Sequence, residues 1–120
     1  MRIFKNTWFT RFADKEAIND NELREAVNQL EVGQADADLG GGVYKQRIAR
    51  PGTSKSGGYR VIVFFRRGER TFFIYGFAKS DMGNITQKQL RDFKTAAKTT
   101  LGYTEQQLAE RIKSGLYREI

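Results

Sequence analysis

The hydrophobic pattern changes period twice along the chain, and those changes mark out its elements. Residues 2–5 form a short mixed stretch that reads as an edge strand or a lead-in. A helical stripe follows: Trp8, Phe9, Phe12 and Ala13 recur at helical spacing, with Thr7 placed to cap them and the run ending near Lys15. This stripe is expected to be core. A second helix starts at Asn19 or Asp20, its apolar residues Leu23, Ala26, Val27 and Leu30 falling at i, i+3, i+4 and i+7, and Gly33 stops it. Residues 34–42 read as loop.

The period then drops to two. Val43–Ile48 alternates, with Tyr44 and Ile48 on one side and Lys45 and Arg47 on the other. Residues 49–58 hold the only proline, Pro51, and read as a basic loop. Tyr59–Arg66 is β-branched and aromatic on both faces, Arg60 and Arg66 sharing a side with Ile62 and Phe64. A turn at 67–70 leads into a partner strand ending at Lys79, so three strands form an antiparallel meander. Helical spacing then returns in two segments, each behind a capping box: Thr86 with Gln89 before Leu90, Phe93 and Ala97, and Thr104 with Gln107 before Leu108, Ile112 and Leu116. No internal repeat or linker divides the chain. The expectation is one α+β domain over residues 1–120, an antiparallel sheet of three to four strands with two N-terminal helices packed on one face and C-terminal helices.

Composition removes whole classes of chemistry. The 120 residues include no cysteine and no histidine, so disulfides, thiol nucleophiles, histidine bases and nearly all zinc sites are excluded. No cofactor is implied. Asp36 and Asp38 lack a third neighbouring ligand and read as loop residues. The glycine clusters match neither a P-loop nor a dinucleotide fingerprint. The longest apolar runs are far short of the roughly 20 residues of a membrane span. Met1–Lys5 lacks a signal-peptide pattern, so a cytoplasmic location is expected.

Charge narrows the picture further. The net charge is +7, and residues 43–80 exceed it alone, with nine Lys/Arg against the single acid Glu69. Such a block favours a polyanion partner, nucleic acid or an acidic protein segment, over a merely solvated face. Alternation and the meander bring Lys45, Arg47, Arg60 and Lys79 to one sheet face. Cations without histidine or paired acids suit phosphoryl chemistry on RNA, where negative charge gathers in the transition state. A lysine among other cations is a candidate base, because like charges disfavour its charged form. Arginine stays charged and grips phosphate.

Three stretches together carry a family resemblance: Val43-Tyr44-Lys45-Gln46-Arg47-Ile48, then Lys55-Ser56-Gly57-Gly58-Tyr59-Arg60-Val61-Ile62-Val63, then Gly76-Phe77-Ala78-Lys79-Ser80. They resemble the RelE superfamily of bacterial toxins, and most of all its HigB-like branch, over about residues 43–99. The resemblance implies a toxin of a type II toxin–antitoxin system, a metal-independent endoribonuclease that cuts mRNA in the ribosomal A site and so stops translation. It also implies an antitoxin partner, of helix-turn-helix type. By position, Lys45, Arg47, Arg60 and Lys79 are then the catalytic set, and Arg50, Lys55, Tyr59 and Arg66 are expected to contact RNA around it. The sequence departs from the pattern after the turn lysine. Ser80 stands where the best-known member has arginine, and no tyrosine lies between Tyr75 and Tyr103. Two other readings share the composition, a gyrase-poisoning ParE-like toxin and a non-catalytic RNA- or ribosome-binding protein.

Overall fold

The computed structural model describes residues 1–50 and 58–120. The elements run β1 (Arg2–Asn6), α1 (Thr7–Glu16), α2 (Asp20–Glu31), β2 (Ala37–Gly40), β3 (Val43–Ile48), β4 (Tyr59–Arg66), β5 (Arg70–Ala78), α3 (Gln87–Leu101), α4 (Glu105–Lys113) and β6 (Tyr117–Glu119). The strands form one mixed sheet in the order β2-β3-β4-β5-β1-β6. The expected meander β3-β4-β5 is there and antiparallel. Three further strands extend it. The N-terminal stretch is no edge: β1 pairs parallel with β5 on one side and antiparallel with β6 on the other. Part of the segment expected as loop is β2, joined to β3 through Gly41 and Gly42, both at positive φ as a tight two-residue hairpin turn needs. Leu116 is not on the last helix, which ends at Lys113, and the chain turns back into β6.

Helices cover both faces of the sheet rather than one. Against α1 and α2 pack Ile3, Ile48, Tyr59, Val61, Val63, Phe65 and Phe73. Against α3 and α4 pack Phe4, Val43, Ile62, Phe64 and Phe72. That is why β4 is apolar on both sides, since a strand buried on both faces has no polar row to show. A bulge at Ile74 of β5, opposite Ile62 and Val63, lets β5 switch sides, so that Phe72 and then Tyr75 and Phe77 follow the α3 face. Gly76 falls on the α1 face, where a Cβ would lie 2.5 Å from the ring of Phe12.

The caps follow the sequence closely. Asn19 accepts from Glu22 N at 2.9 Å, and both threonine capping boxes form. For α1 the cap is Asn6 rather than Thr7, its side chain accepting from Phe9 N at 2.7 Å.

Charge hid β1 in the sequence, and ion pairs account for it. Lys5 is buried and bonds Asp20 at 3.1 Å. Arg2 holds Glu119 of β6 at 2.9 Å and Glu105 at 3.0 Å. The hydrogen bond from Arg2 keeps the Glu119 carboxyl below its ordinary range. A depressed carboxylate stabilises the fold above its unfolded value, and that contribution is lost as pH falls through the folded one. Urea unfolding at pH 6 and pH 3 should therefore show a larger acid loss for the native chain than for Arg2→Met. With both side chains over a third exposed, the Arg2–Glu119 part of the difference should be no more than about 0.2–1 kcal/mol. Identical acid losses would remove the pair from the stability of the sheet edge.

Candidate functional site

Register assembles the site. Across the sheet, Lys45 pairs with Ile62 and Ile62 with Tyr75; one step on, Arg47 pairs with Arg60 and Arg60 with Phe77. Side chains on one face alternate with period two, so these two rows share the α3 face with Val43 and Phe64. The rows lie at the C-terminal ends of β3 and β5. Lys79 follows directly: its N–H donates to Gly58 O at 3.2 Å, continuing the β4–β5 ladder by one pair, and its side chain is exposed. Lys45, Arg47, Arg60 and Lys79 thus meet at one end of one face.

Each cation is held differently. Lys45 Nζ donates to Asn84 Oδ1 at 3.2 Å, in the turn before α3. Arg47 is exposed but clamped by Asp36, whose carboxylate accepts from the Arg47 backbone N–H at 2.6 Å, from Nε at 3.2 Å and from Nη2 at 3.0 Å. Asp36 N in turn donates to the buried Gln46 Oε1 at 2.6 Å. Arg47 and Arg60 are directly cross-strand, where like charges repel, and the Asp36 carboxylate offsets that repulsion. Asp36 is the residue that sequence reasoning missed. Read as loop, it anchors the guanidinium fork of Arg47 and leaves Nη1 for a ligand.

Arg60 departs from expectation. An arginine at a strand end on an open face should be exposed, yet it is 8% exposed, with Nη1 3.5 Å from Tyr59 O. Helices on both faces and the two flanking strands explain the burial, because β4 lies inside the sheet.

Of the other residues expected to contact RNA, Tyr59 and Arg66 lie away from the cluster. Tyr59 is 2% exposed and faces α1 and α2, where its hydroxyl lies 3.4 Å from Glu16 Oε2. Burial raises its pKa. It is a core residue, as the alternation along β4 requires. Arg50 lies over the Tyr59 ring at 5.5 Å and, with Arg47 of the cluster, lines a groove of about 460 Å³ beside Glu22 and Glu25 of α2. Arg66 sits at the far end of β4, roughly 20 Å from Arg60 at strand rise, and donates to Leu101 O at 3.0 Å, closing the C-terminus of α3. Lys55 lies outside the described residues. Arg66→Ala should therefore lower stability by about 0.5–1.5 kcal/mol, the worth of the hydrogen bond. Urea unfolding of the native chain and the variant checks this; equal stability would show that the bond does not hold the C-terminus of α3.

The family model described as the RelE toxin of the RelE/RelB toxin–antitoxin system matches residues 1–120. The chain belongs to the RelE toxin family. Membership covers the N-terminal helices and the last helix and strand as well as the 43–99 segment that carried the resemblance. It makes the chain the toxin side of a toxin–antitoxin pair. The RelE-type architecture here has six strands, one of its pairings parallel, and not only the three or four antiparallel ones expected. Among the described residues no helix is long and apolar enough to cross a membrane.

Proposed function

We propose that this toxin is a ribosome-dependent mRNA endoribonuclease of the HigB-like branch, acting in the cytoplasm on mRNA in the ribosomal A site. The observation that supports it is the register of Lys45, Arg47 and Arg60 on adjacent strands, with Lys79 one residue beyond. In this reading Lys45, held by Asn84, takes the proton of the attacking 2′-OH; the 2′-oxygen bonds to phosphorus, the P–O5′ bond breaks to leave a 2′,3′-cyclic phosphate, and the departing 5′-oxygen takes a proton from water. Arg60 and the free Nη1 of Arg47 stabilise the negative charge that builds on the phosphorane. Lys79, exposed on the turn, binds an adjacent backbone phosphate. The charge required comes from the chain itself, and the reaction needs no metal ion. The ribosome supplies the ordering that brings the 2′-OH into line with the phosphate.

An antitoxin of helix-turn-helix type neutralises the protein by covering this face or by blocking entry to the ribosome. Soluble expression of the toxin alone should stop translation and growth, and coexpression of its antitoxin should restore both. Normal growth under strong soluble expression would refute the proposal.

A further inference from the structure

The buried glutamine of β3 has no part in the chemistry above. Gln46 is fully buried, pairs with Val61 across the sheet, and shares the α1/α2 face with Tyr44 and Ile48. Its Oε1 accepts from Asp36 N at 2.6 Å, while its Nε2 has no hydrogen-bond partner among the described residues. A buried amide with one orphaned end costs stability, and an apolar side chain of the same length would spare that cost. Asp36 is an exposed residue, so water could satisfy its N–H. The fold alone gives no reason for a glutamine here, and attention falls on the one bond it makes.

That bond fixes the residue that holds Arg47. β2 begins at Ala37, which pairs with Lys45, so among the described residues no strand flanks Arg47 on that side. The Asp36 carboxylate stands in for one. It accepts from the Arg47 backbone N–H at 2.6 Å, and from Nε and Nη2 at 3.2 and 3.0 Å. Three links thus run from the core to the cation cluster: an amide beneath α2, a backbone unit at the sheet edge, and a guanidinium. The Arg47 side chain is 44% exposed. A long side chain that exposed samples many rotamers unless it is held.

We propose that Gln46 is a positioning residue for Arg47: by fixing the Asp36 backbone it aims the guanidinium at the scissile phosphate. This rests on the RNA-cleaving function proposed above. Charge and position predict opposite results here. Removing the Asp36 carboxylate makes the face more cationic, which by charge alone should tighten RNA binding and leave cleavage no slower. Losing the aim of Arg47 instead lowers kcat, because the side chain must then be ordered in every transition state.

Gln46→Met keeps the length of the side chain and removes the acceptor. On programmed ribosomes it should lower kcat roughly 5- to 30-fold, with KM within about twofold of native. Asp36→Ala should lower kcat at least as much, with KM unchanged or smaller. In an Arg47→Ala background Gln46→Met should cost nothing more, since it acts through Arg47. Native kcat in folded Gln46→Met, or the full loss repeated in the Arg47→Ala background, overturns the proposal. A measurement on the native toxin needs no variant to fold. The Asp36 amide lies outside any strand, yet it should exchange slowly with solvent, and so should Arg47 Nε–H. Fast exchange at both sites overturns the proposal, as does an Arg47 Nε–H that is equally protected in Gln46→Met. The two proposals fail separately. If the native toxin and Gln46→Met cut equally, the nuclease reading stands and the positioning role falls. If the native toxin never cuts but Gln46→Met loses the protection of Arg47 Nε–H, Gln46 still positions Arg47 and the nuclease reading falls.

Discussion

Replacing Lys45 with alanine should slow single-turnover cleavage on programmed ribosomes by about 10²- to 10⁴-fold, the range of a lost general base. The fold should survive, because Lys45 is only partly buried and its side chain, among the described residues, bonds only the Asn84 side chain in an exposed turn. Lys45→Arg separates two roles. Arginine keeps the charge but holds its proton at any accessible pH. If Lys45 is the base, Lys45→Arg should bind programmed ribosomes normally and cut nearly as slowly as the alanine variant. If it cuts like the native toxin, Lys45 supplies charge only, and the rate belongs to the whole cluster.

Arg60→Met should cost a further large factor, about 10²- to 10³-fold, as expected for removal of a preorganised donor to a developing anion. The stem of methionine fills much of the space, which matters because Arg60 is buried. Removing the charge also relieves its repulsion with Arg47 across the strand, so stability should fall by no more than about 1–3 kcal/mol for the partners left unpaired. Thermal unfolding and cleavage are measured on the same preparation. Native cleavage by a folded Arg60→Met toxin would remove Arg60 from the reaction.

The parts of the fold that were legible in the sequence are those whose pattern is local. Leu23, Ala26, Val27 and Leu30 lie four to a stripe on α2, and all four are buried. Thr86 and Thr104 cap where their boxes predict. The cation rows were legible too, because β3 and β4 are consecutive strands and alternation alone places Lys45, Arg47 and Arg60 on one side. The remainder depends on long-range pairing. β1 reads as too charged for an inner strand until Asp20, Glu105 and Glu119 are brought to Lys5 and Arg2 from distant segments. β6 is three residues long and has no pattern of its own. Helices on both faces follow from β4 being apolar on both sides, a signal present in the sequence and read there only as a strand with polar ends.

The site was partly legible for the same reason. Tyr59 stands next to the cluster in sequence but on the other side of the sheet, Arg50 lies over its ring while sharing a groove with Arg47, and Arg66 shares the cluster's face but not its end. Asp36 is eleven residues before Arg47, and nothing in its local sequence announces the clamp. Trp8 follows the helical stripe in spacing, yet α1 meets the sheet beyond the end of β1, so its first turn projects past the core and leaves the indole at the surface.

The central claim is that the Lys45–Arg47–Arg60 face cuts mRNA held by the ribosome, and mapping cleavage sites on a translated mRNA tests it most directly. Purified toxin is added to ribosomes stalled with a defined codon in the A site, and the 5′ ends produced are located by primer extension, alongside the same mRNA free in solution. The account predicts a cut within the A-site codon, little or none in free RNA, and loss of that cut in Lys45→Ala. Intact mRNA in a reaction whose translation has stopped, or equal cutting of the free RNA, would contradict it.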